Sequence, residues 1–138
     1  MYLLDTNVLS ELMRAAPNPA VLDWMNSQAP HKLFISAITR AEIELGIALL
    51  PAGKRKTNLA TQAKAMCEED FAGKCLPFDD RSASLYAALV AARTRQGLPI
   101  SVEDAQIAAI SLRNQKTLVT RNTADFEKIQ GLSFINPW

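Results

Sequence analysis

Apolar positions along this chain fall into two alternating patterns, short unbroken runs and stripes at helical spacing. Tyr2-Leu3-Leu4 is apolar without alternation, and beyond Asp5 it gives way to Val8, Leu9, Leu12 and Met13. A run of that kind predicts a strand buried on both faces of a parallel sheet, here feeding a helix. Pro17-Asn18-Pro19 breaks the chain, and Val21, Leu22, Trp24 and Met25 then carry a second helix to about Gln28, with Asn18 as its cap and Pro19 in its first turn. Leu33-Phe34-Ile35 predicts a second buried strand that ends at Ser36. A helix from Thr39, marked by Ile43, Ile47 and Leu50, runs to Pro51-Ala52-Gly53, and another spans about Lys56 to Glu69. These two suggest a helical hairpin, with Leu45 and Leu49 serving either as an exposed face for a partner or as core.

The second half repeats the alternation. Cys75-Leu76-Pro77-Phe78 is a weak strand that Pro77 restricts to a short or edge position. Asp79-Asp80 opens a long helix with the stripe Leu85, Tyr86, Leu89, Val90 and Arg93, stopped by Gly97-Leu98-Pro99. Ser101-Val102-Glu103-Asp104 starts another helix that reaches Asn114. Thr117 to Thr120 forms a third strong strand, and Phe134-Ile135 a short last one. Strands alternating with helices predict an α/β sandwich around a largely parallel sheet of four or five strands.

Composition narrows the class without changing this picture. At 138 residues the length suits one domain, residues 1–138, and no repeat or linker divides it. Hydrophobic residues at 49% and charged residues at 21% exclude a disordered chain, and no apolar run approaches the roughly 20 residues of a membrane span. The early Asp5, Asn7 and Glu11 interrupt anything resembling a secretory signal, so the expected location is the cytoplasm. Cys67 and Cys75 are too few for a zinc site and call for no disulfide in a reducing compartment. A net charge of +1 leaves any contact with a polyanion to local patches, of which Lys54-Arg55-Lys56 is the one dense run.

Candidate chemistry lies in the acids. Asp5 follows the first strand, Glu42 lies just after the second, Asp104 opens a helix, and Asp125 follows the strand ending at Thr120. Strand ends and helix starts of a parallel sheet share one rim, so these four can meet. Thr39-Arg40-Ala41-Glu42, Ser101-Val102-Glu103-Asp104 and Asn122-Thr123-Ala124-Asp125 also read as capping boxes, an explanation that Asp5 lacks. If the acids do meet, two carboxylates about 4 Å apart repel by roughly 4 kcal/mol at an effective dielectric near 20, against about 1 kcal/mol for a cap. Such a cluster calls for a cation, and an oxygen-only donor set points to Mg²⁺ or Mn²⁺ and to phosphoryl chemistry.

The segments LLDTNVLSEL, TRAEIELG, EDAQIAA and TRNTADF, with the ending Asn136-Pro137-Trp138, together resemble the PIN-domain ribonucleases, and within them the VapC-type toxins of toxin–antitoxin pairs. The resemblance runs over essentially the whole chain. It implies a three-layer α/β/α fold, cleavage of RNA by a metal-activated water, a homodimer, and a small cognate antitoxin protein as partner. Carried over to this sequence, it implies Asp5, Glu42 and Asp104 as catalytic and metal-binding acids. Some relatives place a further acid where this chain has Asn122, so Asp125 is expected to substitute for it from one helical turn away. Thr6, Asn7, Thr120 and Asn122 would orient the carboxylates and bound water. Arg40, Arg121, Lys54, Arg55 and Lys56 are candidate phosphate contacts, with Arg40 and Arg121 alternatively pairing with the acids. Two rival readings are an inert interaction module of the same fold and an aspartyl-phosphate phosphatase, which would want a second aspartate at the place of Asn7.

Overall fold

Leu3 and Leu4 of strand β1 (Tyr2–Leu4) are both fully buried, yet they enter different cores. Successive strand side chains point to opposite faces of a sheet. Leu3 therefore joins Leu89, Ile107 and Leu118 on one side, while Leu4 joins Val8, Val21, Ile35 and Val119 on the other. The computed structural model describes all residues from Met1 to Trp138. Its sheet has five strands: β1, β2 (Leu33–Ser36), β3 (Cys75–Leu76), β4 (Thr117–Val119) and β5 (Phe134–Ile135). Every pairing is parallel, in the order β3-β2-β1-β4-β5.

Helices cover both faces. On the Leu4 side lie α1 (Thr6–Leu12), α2 (Pro19–Asn26), α3 (Ala37–Ala48) and α4 (Lys54–Ala65), which contribute Val8, Val21, Ile43 and Ala63 to that core. On the Leu3 side lie α5 (Asp80–Arg95), α6 (Val102–Arg113) and the one-turn α7 (Thr123–Phe126), with Leu89, Ile107, Ile110 and Phe126 buried. Full burial of Ile107 or Ile110 is worth about 2 kcal/mol each. The architecture is the three-layer α/β/α sandwich, with all five strands realised.

Some boundaries differ from the pattern. Ser36, not Thr39, caps α3: its hydroxyl accepts from Thr39 N at 3.0 Å, so the helix starts two residues earlier. Thr39 and Glu42 therefore form no capping box. Asn122 likewise makes no side-chain capping bond to α7. Asp5, expected to lack a capping role, is itself the cap of α1, accepting from Thr6 N at 2.7 Å. The helix α4 ends at Ala65 and continues as a π turn over Met66–Asp70. The hairpin of α3 and α4 packs into the core through Ile43 and Ala63, and it leaves Leu45 and Leu49 exposed.

The chain runs outward from β1 to β2 and β3, then crosses back to β4 and β5 on the other side of β1. Such a reversal opens a crevice at the carboxyl ends of the two strands where it occurs. Here those strands are β1 and β4, paired with Leu4 opposite Val119, and Asp5 N donates to Val119 O at 2.9 Å. Asp5 and Thr120 are thus placed side by side by the ladder itself.

Candidate functional site

Asp5 is almost fully buried at the end of β1, and its carboxylate accepts three hydrogen bonds. Oδ1 takes Thr6 N at 2.7 Å, while Oδ2 takes Thr120 Oγ1 at 2.8 Å and Asn7 Nδ2 at 3.2 Å. A carboxylate offers about four acceptor positions, so one remains for a further partner. Burial pushes the Asp5 carboxyl above its ordinary range, the Glu42 charge adds to that push, and the bonds from Thr120, Thr6 and Asn7 act against it. Asn7 occupies the position where a phosphatase would need a second aspartate, and it serves Asp5 as a donor.

Glu42 reaches the same place from α3. Its Oε1 accepts from Thr6 Oγ1 at 2.7 Å. Thr6 has one hydroxyl proton and spends it on Glu42, so the 3.0 Å contact with the buried Thr39 hydroxyl has Thr39 as donor. Thr39 thus belongs to the site's support, a role masked in the sequence by its resemblance to a helix cap.

Asp104 enters from the first turn of α6, where Ser101 Oγ accepts from its backbone N–H at 3.1 Å as the capping pattern predicts. Its carboxyl is pushed up to about 6, first by burial and then by the charges of Asp5, Asp125 and Glu42, with Ser101 opposing. Four acids therefore share one electrostatic neighbourhood. They do not share it equally: Asp5, Glu42, Asp104 and Asn122 line a cleft of about 480 Å³, whereas Asp125 lies on the exposed side of α7 outside that lining. Asp125 nevertheless stays close enough for its charge to act on Asp104.

The same cleft also carries positive charge. Arg14 pairs with the buried Glu11 at 3.1 Å, and Glu11 is held below the usual carboxylate range first by the Asn18 N–H and then by Arg14. Arg121 lines the cleft beside Trp138, with its Cζ 5.3 Å from the ring centroid. Glu11 and Trp138 lie in segments that carry the family resemblance, but neither they nor Arg14 stand out there as site residues, the one local signal being the i, i+3 spacing of Glu11 and Arg14. Arg40 belongs elsewhere. It bonds Glu44 at 3.3 Å on the outer surface of α3, since two residues along a helix turn the side chain about 200° away from Glu42. Lys56 caps the end of α3 by donating to Ala48 O at 3.1 Å, and Lys54 lines no part of the cleft. Arg55 lines a larger adjoining groove that also borders Thr6 and Glu42.

With the cleft so composed, comparison with known proteins is decisive: the family model described as PIN domain matches residues 2–132. The chain belongs to the PIN-domain family. This PIN domain is 46% identical over 138 residues to the plasmid stability protein StbB of Pseudomonas syringae pv. tomato, covering 100% of the chain and 99% of that relative. It is 42% identical to the VapC ribonuclease Y4jK of Sinorhizobium fredii, with 100% and 98% covered. Toxin FitB of Neisseria gonorrhoeae is 39% identical, with 100% and 99% covered, and the crystal structure of FitAcB from that organism superposes with a TM-score of 0.93 over 100% of this chain and 99% of that one. These likenesses put the PIN domain in the VapC-type toxin branch.

The side chains suit a hard divalent cation. No histidine or cysteine lines the cleft, Asp5 keeps a free acceptor position, and burial together with the neighbouring acids raises Asp104, a strain that a cation relieves. As placed, no three of these acids close on a single point. Mg²⁺ retains several of its waters and needs only one or two carboxylates directly, so the donor set remains adequate.

Proposed function

We propose that this PIN domain is the ribonuclease toxin of a toxin–antitoxin pair, hydrolysing RNA phosphodiester bonds with Mg²⁺ or Mn²⁺ held by Asp5, Glu42 and Asp104. The observation that carries the reading is the convergence of three carboxylates, from the end of β1, from α3 and from the start of α6, on one cleft at the reversal of the sheet. A bound divalent ion would supply an activated water and stabilise charge developing on the scissile phosphate. The chain's own residues prepare that chemistry. Thr120, Asn7 and Thr6 N fix the Asp5 carboxylate, and Thr6 Oγ1 fixes Glu42, so neither acid must reorganise as substrate arrives. Arg121 on the cleft wall, with Arg55 in the adjoining groove, provides positive charge for flanking phosphates.

Asn122 contributes a neutral oxygen at the cleft wall, and Asp125 acts through its charge on Asp104. A homodimer in the cytoplasm, restrained by a small cognate antitoxin, completes the reading. It draws on the VapC ribonuclease and FitB toxin relatives and on the family resemblance of the sequence.

The test is cleavage of a fluorophore-labelled RNA by purified protein, with and without Mn²⁺, beside Asp5→Asn and Glu42→Gln. Cleavage should require Mn²⁺ and fall to background in both variants. Equal cleavage by all three proteins would overturn the assignment, and no cleavage together with no Mn²⁺ binding by calorimetry would favour an interaction module of the same fold.

A further inference from the structure

Two adjacent parallel strands deliver Arg121 and Trp138 to the same point on the rim. Val119 of β4 sits opposite Ile135 of β5, and Thr120 N donates to Ile135 O at 3.0 Å. Arg121 and Trp138 follow these strands closely, and their backbones leave the sheet side by side. Both are anchored there: Arg121 N donates to Asn7 Oδ1 at 3.3 Å, and Trp138 N donates to Asn136 Oδ1 at 2.9 Å. The indole also packs against the Leu4-side core, so the ring is a fixed object.

Against this fixed ring rests the Arg121 guanidinium, 5.3 Å from the centroid and within cation–π range. Two arginines line the cleft, and they differ in one respect. Arg14 is paired with Glu11 at 3.1 Å, whereas Arg121 has no carboxylate within 4.0 Å. Arg121 thus lines the acid-bearing cleft without an ion-pair partner of its own. A mobile arginine loses rotamer freedom when it takes an anion, and an aromatic surface that already restricts it removes part of that loss. The guanidinium fork itself matches phosphate oxygens in pairs.

We infer that Trp138 is a positioning residue whose ring holds the Arg121 guanidinium at the cleft rim, ready for a backbone phosphate of the RNA beside the one that is cleaved. The inference rests on the RNA reading above, and its test separates the two.

Binding of a labelled single-stranded RNA oligonucleotide is followed by fluorescence anisotropy in EDTA at low salt, so that neither cleavage nor metal affinity enters the readout. Trp138→Leu keeps apolar bulk for the core and removes the aromatic face, while Trp138→Phe keeps both. Circular dichroism at the assay temperature verifies that each variant is folded. Trp138→Leu and Arg121→Gln should each weaken binding about fivefold, and Trp138→Phe should bind as the wild type does. The double variant should bind no more weakly than Arg121→Gln alone, because the ring acts through that guanidinium. Binding by Trp138→Leu equal to wild type, or a further fivefold loss in the double variant, would overturn the positioning role while leaving the RNA reading in place. Absence of RNA binding by the wild type in EDTA would overturn the positioning role, whereas the RNA reading itself falls only if Mn²⁺-dependent cleavage is absent.

Discussion

Thr120 Oγ1 donates to Asp5 Oδ2 at 2.8 Å, joining the ends of two neighbouring strands that lie 115 residues apart in the chain. The same hydroxyl accepts from Asn122 N at 3.0 Å and from Asn7 Nδ2 at 3.3 Å, so its full hydrogen-bonding capacity is used. One small side chain thereby orients the carboxylate and the backbone that brings Asn122 to the cleft. Thr120→Val removes all three bonds at nearly constant volume. We expect a loss of about 1–2 kcal/mol in urea unfolding and a fall in kcat on the order of tenfold or more with KM little changed, while Thr120→Ser keeps both.

Glu42 depends on Thr6 in a similar way, through the 2.7 Å bond from Thr6 Oγ1. Thr6→Val leaves the carboxylate free to swing into solvent. Mn²⁺ affinity measured by calorimetry should fall roughly tenfold, and adding Glu42→Gln to Thr6→Val should cost less than the sum of the two single changes. Thr6→Ser should bind Mn²⁺ as the wild type does.

The raised Asp104 carboxyl predicts a pH dependence of stability in metal-free buffer. Folding lifts this group from its ordinary 3.8 to about 6, so the folded state holds the proton more tightly than the unfolded chain. Its contribution to stability is full below pH 3.8 and is lost as pH rises through about 6. Asp104→Asn removes that loss. At pH 7.5 in EDTA the variant should therefore melt above the wild type, by about 1 kcal/mol once solvent screening of this half-buried group is allowed for. The gap should close towards pH 4, and saturating Mn²⁺ at pH 7.5 should reverse it by stabilising only the wild type. A gap that is constant with pH would contradict the raised Asp104 carboxyl.

Arg93 tests how the acid-bearing loops are held. It is buried without a carboxylate partner, and its guanidinium donates to the carbonyl oxygens of Leu98, Pro99 and Glu127. Those carbonyls belong to the segment before Ser101 and Asp104 and to the one just after Asp125. Arg93→Met strands three acceptors, and we expect a loss of about 2–4 kcal/mol in urea unfolding, only partly restored by Arg93→Lys, whose ammonium cannot span all three.

Much of this was legible in one dimension, for reasons particular residues make clear. Leu3 and Leu4 announce a strand buried on both faces because each must satisfy a different core, and an unbroken apolar run is the only pattern that does so. Ser101 reads correctly as a cap because its partner, Asp104 N, lies three residues away. Thr39 misled for the same local reason: the pattern Thr-x-x-Glu is present, yet Ser36 lies earlier and takes the Thr39 N–H itself. Asp125 lies on the exposed part of α7, and that its charge still bears on Asp104 is a relation between two segments that no local pattern shows.

From the sequence alone came the alternation of elements, the two-faced burial of the central strands and the four segments that mark the PIN-domain family, since all of these are set by neighbours within a few residues. The tertiary structure decided which acids share a wall, that Thr120 serves Asp5, that Thr6 and Thr39 serve Glu42, and that Arg121 rests on Trp138. Those relations depend on strand order and register. A sheet that runs β3-β2-β1-β4-β5 brings the ends of β1, β4 and β5 together, and nothing local in the chain specifies that neighbourhood.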